Sequence, residues 1–215
     1  CWTMYQLPKK LGCIRQLIFK RWNSDFLPKW VESDMQTKLK SRFKSYCIPI
    51  RSEQDIQPAL NQLLQLHKKI GKATHPAMYA WKIVDSNSMK VDTCSMTKKE
   101  KHSRSSSEKY KLKTENKERQ MCVISHPRNL RIGHNDCKEP GSGDRLMGLL
   151  DRLRLVNVLV AVTRWYGGKL LGPSRFRCIS NSALDALQKA GYAGIGTDKN
   201  SWLDVYMIAR LNSQK

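Results

Sequence analysis

One apolar run leads into a glycine-rich loop and then into a helical pattern. Residues 158–162 are apolar and mostly β-branched, which predicts a buried strand. Gly172 and Pro173 follow, and proline is tolerated in the first turn of a helix. Beyond them apolar residues recur at helical spacing: Phe176, Ile179, Ala183, Leu184 and Leu187. This segment therefore predicts a strand, a loop and a helix that stops near Gly191.

Four other segments have comparable patterns. Residues 40–50 and 77–84 predict two strands. Ser52 predicts a helix N-cap, with Asp55 three residues later, and Gly71 is expected to stop that helix. Leucines at helical spacing predict a further helix just before residue 158: Leu146, Leu149, Leu150 and Leu153. Two strand–helix–strand passes indicate an α/β or α+β sandwich.

The chain is strongly basic. Its 215 residues contain 39 Lys and Arg against 18 Asp and Glu, a formal net charge of +21 with neutral histidines. This excess favours nucleic acid, the ribosome or an anionic membrane surface as a partner. Many of the basic residues lie in a serine-rich tract with few apolar positions, which is typical of disorder. We therefore expect a disordered basic insert at about 87–133, which binds RNA with little selectivity if it binds RNA at all.

Cysteine usage and the N-terminal segment bear on the compartment. The 7 cysteines are scattered and odd in number, which favours a reducing compartment over a disulfide framework. Four residues lack the paired spacing of a zinc knuckle, so we expect no metal: Cys122, His126, His134 and Cys137. Residues 1–37 predict a basic, partly helical extension that resembles a mitochondrial presequence, a membrane-surface helix or a docking helix. We expect a cytoplasmic protein without a membrane span, with mitochondria as the alternative location.

The loop after the predicted strand gathers groups that are able to bind an anion. It contains two cations and three glycines, namely Arg164, Gly167, Gly168, Lys169 and Gly172. The backbone N–H groups at the start of the next helix point towards the same place. Pro173 stands where a nucleotide-binding P-loop needs lysine, so that kind of loop is excluded. The alternative is that the glycines are needed only for backbone conformation.

Four blocks of the sequence resemble one known family. They are Lys40-Ser41-Arg42-Phe43; Lys72-Ala73-Thr74-His75 with Tyr79-Ala80-Trp81-Lys82-Ile83; Asp136-Cys137-Lys138-Glu139-Pro140; and Arg164-Trp165-Tyr166-Gly167-Gly168 with Leu171-Gly172-Pro173 and Arg175-Phe176. In this order, over about residues 38–85 and 134–192, they are similar to the signature of the Impact family, which includes bacterial YigZ-like proteins and eukaryotic Impact. In the third block Cys137 and Lys138 replace the second Asp and the Gly of the family's Asp-Asp-Gly-Glu-Pro turn.

The resemblance implies a fold and a function. The fold is α+β, a two-layer sandwich like ribosomal protein S5 domain 2, at residues 38–192, followed by a tail at 193–215. No enzyme activity and no cofactor are implied. Eukaryotic members restrain the amino-acid-starvation kinase that phosphorylates the initiation-factor-2 α subunit, and their separate RWD domain helps to bind the activator of that kinase. This chain resembles the core domain alone, and its expected partner is a protein of that pathway or the ribosome.

The residues expected to bind a partner or an anion lie in and around the loop: Arg164, Trp165, Tyr166, Gly167, Gly168, Lys169, Gly172, Arg175, His75 and Glu139. His75 and Glu139 are expected to shape the rim of the site. Trp165 and Tyr166 are expected either to stack on bases or to belong to the core or rim. No patterned nucleophile or carboxylate accompanies His75, which favours a backbone hydrogen bond in a turn over catalysis. Two alternatives stay open, an RNA-binding module that uses the loop and the insert, and an enzyme acting on a phosphorylated metabolite.

Overall fold

The computed structural model describes residues 28–84, 92–93, 122–124, 127, 129–193 and 201–213. The strands in this part are β1 Val31–Glu32, β2 Gln36–Lys38, β3 Ser41–Pro49, β4 His75–Val84, β5 Asp92–Thr93, β6 Cys122–Ile124, β7 Leu130–Asn135, β8 Leu155–Val156, β9 Val158–Trp165 and β10 Trp202–Asp204. The helices are α1 Ile56–Leu66, α2 Ser142–Arg152, α3 Ser174–Lys189 and α4 Val205–Ser213. The main sheet has the order β1-β3-β9-β4-β7, with β2 also paired to β3, and a second sheet has the order β5-β6-β10-β8.

Strand β9 runs through the centre of the main sheet and is apolar on both faces. Val158, Val160 and Val162 pack on one side with apolar residues of α2 and α3. Leu159 and Ala161 pack on the other side with apolar residues of α1. A continuous apolar run suits a strand in this position because both of its faces are covered. The strand and the helix predicted around the loop are confirmed as β9 and α3.

Helix α1 makes the fold three layers deep. Leu60 and Leu63 of α1 belong to the same apolar cluster as Ile48 and Leu159 of the sheet. Helices α2 and α3 cover the opposite face. The expected two-layer sandwich is therefore wrong in its number of layers, because an amphipathic helix pattern shows which side of the helix is buried but not which face of a sheet it covers. The mixed α+β class is confirmed, and the likeness to ribosomal protein S5 domain 2 stays a prediction.

The strand directions bring several loops to one edge of the main sheet. Strand β9 is antiparallel to both β3 and β4, and β4 is antiparallel to β7. The end of β9, the starts of β3 and β4, and the end of β7 therefore share an edge. Four loops, at 38–40, 66–74, 136–141 and 166–173, leave the sheet there. This convergence positions all the predicted site residues together.

Several elements lie outside the boundaries expected from the sequence. Strands β1 and β2 and the buried Trp30 fall within the predicted N-terminal extension, yet β1 and β2 pair with β3. Strand β7 begins inside the predicted insert, at Leu130, and β6 pairs with β10. In the predicted C-terminal tail, β10 and α4 contribute Leu203, Val205 and Ile208 to the core. These short elements carry too few residues for a periodic pattern to be read with any certainty from the sequence.

The end of the first helix also differs from its prediction. Helix α1 ends at Leu66, and Gly71 lies in a separate 3₁₀ turn at Ile70–Lys72. The predicted role of Asp55 is supported, since its carboxylate accepts the N–H groups of Arg51 and Ser52, both at 2.9 Å. Strand β4 begins two residues earlier than predicted, at His75.

Other predictions fall wholly or partly outside the described residues. They concern residues 1–27, most of the insert, and His126 of the rejected zinc set. Within the described part, Cys47, Cys122, Cys137 and Cys178 are free thiols, and no group of His, Cys, Asp and Glu is arranged to hold a metal ion. None of the helices described is both long and apolar enough to cross a bilayer.

Candidate functional site

Arg164 lies inside the protein although it is next to the exposed loop. It is 5% exposed, and it is paired across the sheet with Phe43 of β3 and His75 of β4. Its guanidinium carbon lies 5.6 Å from the centroid of the Phe43 ring and 5.6 Å from that of the Tyr166 ring. Period-two alternation along β9 places Arg164 on the same face as Val162, towards α3. A guanidinium in such surroundings needs a buried partner.

Glu139 is that partner, and it contacts two arginines and one histidine. Its Oε2 accepts a hydrogen bond from Nη1 of Arg164 and lies 3.1 Å from Nε2 of His75. Its Oε1 lies 2.6 Å from Nε of Arg175. We call these four residues the Glu139 cluster. Because the carboxylate is buried, its attraction to the two guanidinium groups is little screened by water.

The outer members of the Glu139 cluster are also bound to the backbone. Nδ1 of His75 donates to the carbonyl oxygen of Cys137 at 2.9 Å. Nη1 of Arg175 donates to the carbonyl oxygen of Gly172 at 3.0 Å. The backbone hydrogen bond expected for His75 is therefore present. Through these contacts the cluster ties the start of β4, the 136–141 turn and the 166–173 loop into one unit.

The turn that carries Glu139 is held by Asp136. The Asp136 carboxylate accepts the N–H groups of Gly141 at 3.1 Å and of Gly143 at 2.6 Å, at the start of α2. Burial opposes ionisation of this carboxyl, but those hydrogen bonds and one from the Ser142 hydroxyl lower its pKa below the ordinary value. Asp136 thus serves as the acid that binds the N-terminus of α2, where negative charge is favoured.

The two residues that differ from the family's Asp-Asp-Gly-Glu-Pro turn, Cys137 and Lys138, have an unusual backbone conformation. Cys137 has φ 46° and Lys138 has φ 66°, both in the left-handed region. Non-glycine residues pay an energetic penalty there, and glycine does not. The turn still forms with Lys138 in place of glycine, and Glu139 still reaches Arg164.

The glycines of the loop have clear backbone roles. A Cβ at position 167 would lie 2.1 Å from the carbonyl carbon of Lys40 and 2.4 Å from the nitrogen of Ser41, so no side chain fits. Gly168 has φ 81° and Gly172 has φ 53°. These observations favour the structural explanation of the glycines that the sequence left open.

Two backbone donors of the loop are also occupied. The N–H of Tyr166 donates to the Thr74 hydroxyl at 3.1 Å, and the N–H of Gly167 donates to the Ser41 hydroxyl at 3.1 Å. Together with the pairing of Arg164 and Arg175 to Glu139, these bonds use groups that the sequence assigned to an external anion. The predicted anion site is thus filled in large part by the protein's own carboxylate and hydroxyls.

Three predicted residues lie at the surface instead, one of them, Trp165, half-buried. The Trp165 ring has the Arg42 guanidinium 5.7 Å from its centroid, and its Nε1 donates to the carbonyl oxygen of Lys69 at 3.3 Å. Tyr166 is 43% exposed. Lys169 is exposed and forms no ion pair with any residue that the structure describes. The predicted set therefore divides into the buried Glu139 cluster and an exposed surface beside it.

Sequence reasoning missed most of the cations on that surface. Besides Lys169 they are Lys38, Lys40, Lys68, Lys69 and Lys72. A signal existed, since none of the loops at 38–40, 66–74 and 166–173 contains an Asp or Glu. The signal becomes meaningful only when the strand directions are known, because the three loops are far apart in sequence.

A second buried cation, at the opposite edge of the sheet, was also missed. Lys82 is 2% exposed, its ammonium pairs with Asp151, and it lies 5.0 Å from the centroid of the Trp202 ring. Nearby, burial raises the pKa of Asp204 above its ordinary value. The Lys82–Asp151 pair joins β4 to α2, and the contact of Lys82 with Trp202 links β4 to β10.

Comparison with known proteins agrees with the four blocks. Residues 39–187 match the family model described as the Impact N-terminal domain. The chain is 40% identical over 164 residues to the IMPACT family member YDL177C of Saccharomyces cerevisiae, which covers 76% of this chain and 92% of that protein. It is 32% identical over 188 residues to Protein IMPACT-B of Xenopus tropicalis, covering 86% of this chain and 45% of that protein.

Among solved structures, the two-domain translational regulator Yih1 matches with a TM-score of 0.43 and 24% identity, over 88% of this chain and 55% of Yih1. The chain thus corresponds to nearly the whole length of the yeast relative YDL177C but to less than half of the Xenopus protein.

Proposed function

Because this chain belongs to the Impact family, we propose that it is a non-enzymatic regulatory domain that acts in translational control, through contact with a protein partner or the ribosome. The Glu139 cluster is the observation that carries the non-enzymatic part of this proposal. All four of its residues lie inside the matched region, and their charged groups face one another or backbone carbonyls. In this proposal the cluster stabilises the loops for binding, because its charged groups are already engaged by one another and by the backbone.

The finer proposal is that the domain restrains the amino-acid-starvation kinase that phosphorylates the initiation-factor-2 α subunit. It comes from the family role that the resemblance implies. The chain corresponds to under half of the vertebrate relative, so the activities of the longer relatives are proposed for it rather than established.

The geometry gives less support to an enzyme acting on a phosphorylated metabolite. That hypothesis needs cations free to bind phosphate at the start of α3. Arg175 pairs with Glu139, and the Ser174 hydroxyl donates to the carbonyl oxygen of Leu171 at 2.6 Å. Adding inorganic phosphate is therefore expected to leave the melting temperature unchanged, since a ligand that binds the folded state would raise it.

The proposed function is tested by expressing the full chain in eukaryotic cells with and without amino-acid starvation. We expect less phosphorylated initiation-factor-2 α subunit in starved cells that contain the chain, and we expect the tagged chain to recover the kinase activator or ribosomal proteins. Unchanged phosphorylation together with recovery of neither partner would overturn the proposal. The action is proposed to be cytoplasmic, and fractionation that places the chain in mitochondria would favour the alternative.

A further inference from the structure

Six lysines on three loops form a basic surface at one edge of the main sheet. They are Lys38, Lys40, Lys68, Lys69, Lys72 and Lys169, and we call this surface the basic end. The loops touch one another directly. Gly167 packs on the backbone of Lys40, and Trp165 donates its Nε1 hydrogen bond to Lys69. The lysines therefore share one surface although they are spread over 132 positions of the chain, from Lys38 to Lys169.

The basic end has no internal compensation for its charge. All six lysines are exposed, and none forms an ion pair with a residue in the described ranges. Some cations elsewhere are paired, for example Lys44 with Glu32 at 2.5 Å and Lys189 with Asp34 at 2.5 Å. Like charges gathered in this way repel each other, and binding a polyanion relieves the repulsion and releases counterions.

The backbone beneath the basic end is strained. Leu39 and Lys40 form the two-residue turn between β2 and β3, with φ 46° and φ 65°. Turns of this kind favour Asn-Gly because both central residues need positive φ. Leucine and lysine instead hold the strained conformation and project a lysine beside the loop. Strain retained at an exposed turn is typical of a functional surface.

Aromatic rings at the centre of the basic end favour RNA over an acidic protein. Tyr166 is exposed, and the buried Arg164 guanidinium lies on its inner side. Trp165 has Arg42 against its ring. Surfaces that bind single-stranded nucleic acid combine lysines for the phosphates with aromatic rings on which bases stack. An acidic peptide would use the lysines but gains nothing specific from a flat ring. An anionic membrane would use the lysines together with Leu170, which is 88% exposed.

We propose that the basic end binds single-stranded RNA, with the lysines on the phosphates and Tyr166 stacked on a base. The inference rests on the proposed function and deepens it, because such a segment of ribosomal or messenger RNA would be the point of contact with the translation machinery. The Glu139 cluster supports the loops from below and does not touch the RNA.

The test measures binding of the full chain to a fluorescent 12-nucleotide oligouridine. The triple variant Lys40→Glu, Lys69→Glu and Lys169→Glu changes the basic end. The matched control Lys29→Glu, Arg152→Glu and Arg210→Glu changes the net charge equally at exposed positions away from it. We expect the basic-end variant to bind at least ~10-fold more weakly near 0.1 M salt, with a salt slope smaller by about 2, and the control to bind within ~3-fold of wild type. Equal losses in the two variants would overturn the proposal, because net charge or the insert would then carry the affinity.

Substitutions of Tyr166 and anionic vesicles separate RNA from the other polyanions. Tyr166→Ala is expected to weaken RNA binding by roughly 5- to 10-fold and Tyr166→Phe by less than 2-fold, as stacking requires. Thermal unfolding of both variants shows that they remain folded. Wild-type affinity in Tyr166→Ala, or binding to phosphatidylserine vesicles without binding to oligouridine, would overturn the RNA proposal. Oligouridine binding and initiation-factor phosphorylation are separate readouts, so failure of one proposal is distinguishable from failure of the other.

Discussion

Arg164 at the end of β9 and Lys169 in the loop that follows are five residues apart, yet their charges have opposite surroundings. Arg164 is buried and pairs with Glu139, whereas Lys169 is exposed and has no ion pair among the residues described. A charge in the interior must keep its partner, because leaving it unpaired costs several kcal/mol. A solvated ammonium is stable without a partner and remains available to an external anion. The Glu139 cluster thus fixes the position of the loops, and the exposed lysines of the basic end remain available to bind a partner.

The largest loss of stability is expected from a substitution of Glu139, the partner of the buried Arg164. Glu139→Gln keeps the shape of the side chain but leaves the buried Arg164 and the half-buried Arg175 without a counter-charge. We expect a loss of about 3–5 kcal/mol in the free energy of unfolding, measured by urea denaturation. Glu53→Gln is the control, since Glu53 is exposed and pairs with Arg131 at 3.3 Å, and it should cost less than about 1 kcal/mol. Similar costs in the two variants would show that the cluster is not a structural centre.

Gly167→Ala tests whether the basic end depends on the close approach of its loops. The new methyl group would meet the backbone of Lys40 and Ser41, which has to move. We expect a loss of about 2–3 kcal/mol in the free energy of unfolding. Gly71→Ala is the matched control because no atom lies within 4 Å of its Cβ position, and its stability should change by less than about 0.5 kcal/mol. If both glycines tolerate alanine, the 166–173 loop is less constrained than its contacts imply.

The strand and helix around the loop could be predicted because their patterns are local. The apolar run at 158–162 and the spacing of Ile179, Ala183 and Leu187 contain the information themselves. The pairing of Glu139 with Arg164 could not be predicted from the residues, since it depends on how the 136–141 turn folds towards β9. The basic end was missed for a similar reason. Its lysines meet only because β3 and β4 both run antiparallel to β9.

The placement of α1 and of the terminal strands also lies beyond local pattern. Leu60 and Leu63 show that α1 has an apolar side, and that side fits either face of the sheet equally well. Strand β1 has two residues and β10 has three, too few to show alternation. The order of the four family blocks brought His75, Glu139, Arg164 and Arg175 into one candidate set. Geometry then separated this set from the surface residues Trp165, Tyr166 and Lys169.

Asp136→Asn removes the carboxylate that holds the turn carrying Glu139, and it leaves Glu139 itself unchanged. The pKa of Asp136 is lowered in the folded protein, so its carboxylate stabilises the fold above pH 3.8 and loses that contribution as the pH falls through the folded value. We expect the variant to be less stable by about 1 kcal/mol at pH 6, and we expect its difference from wild type to shrink as the pH falls below 3.8. Urea denaturation across this range is the measurement, and a difference that does not vary with pH would contradict the assigned role.

Lys40→Gly has the smallest expected effect and the opposite sign. Glycine removes the penalty of a left-handed lysine, which exceeds the added flexibility of the unfolded chain, so stability should rise by about 0.5 kcal/mol. RNA affinity should fall because one cation of the basic end is lost. Thermal unfolding and oligouridine binding, measured on the same sample, show whether stability rises while RNA affinity falls. A variant that gains no stability would indicate that the β2–β3 turn is not strained by Lys40.

The connection between β4 and β7 leaves the sheet at the end far from the Glu139 cluster. Val84 and Leu130 face each other across the hairpin, at the end opposite His75 and Asn135. A connection of any length therefore joins two residues that are already neighbours, and its closure costs little more as it grows. At 3.3 Å per residue, the ten residues of β4 place this junction roughly 30 Å from the Glu139 cluster. A reporter domain inserted between β5 and β6 is therefore expected to leave the loops that meet a partner undisturbed.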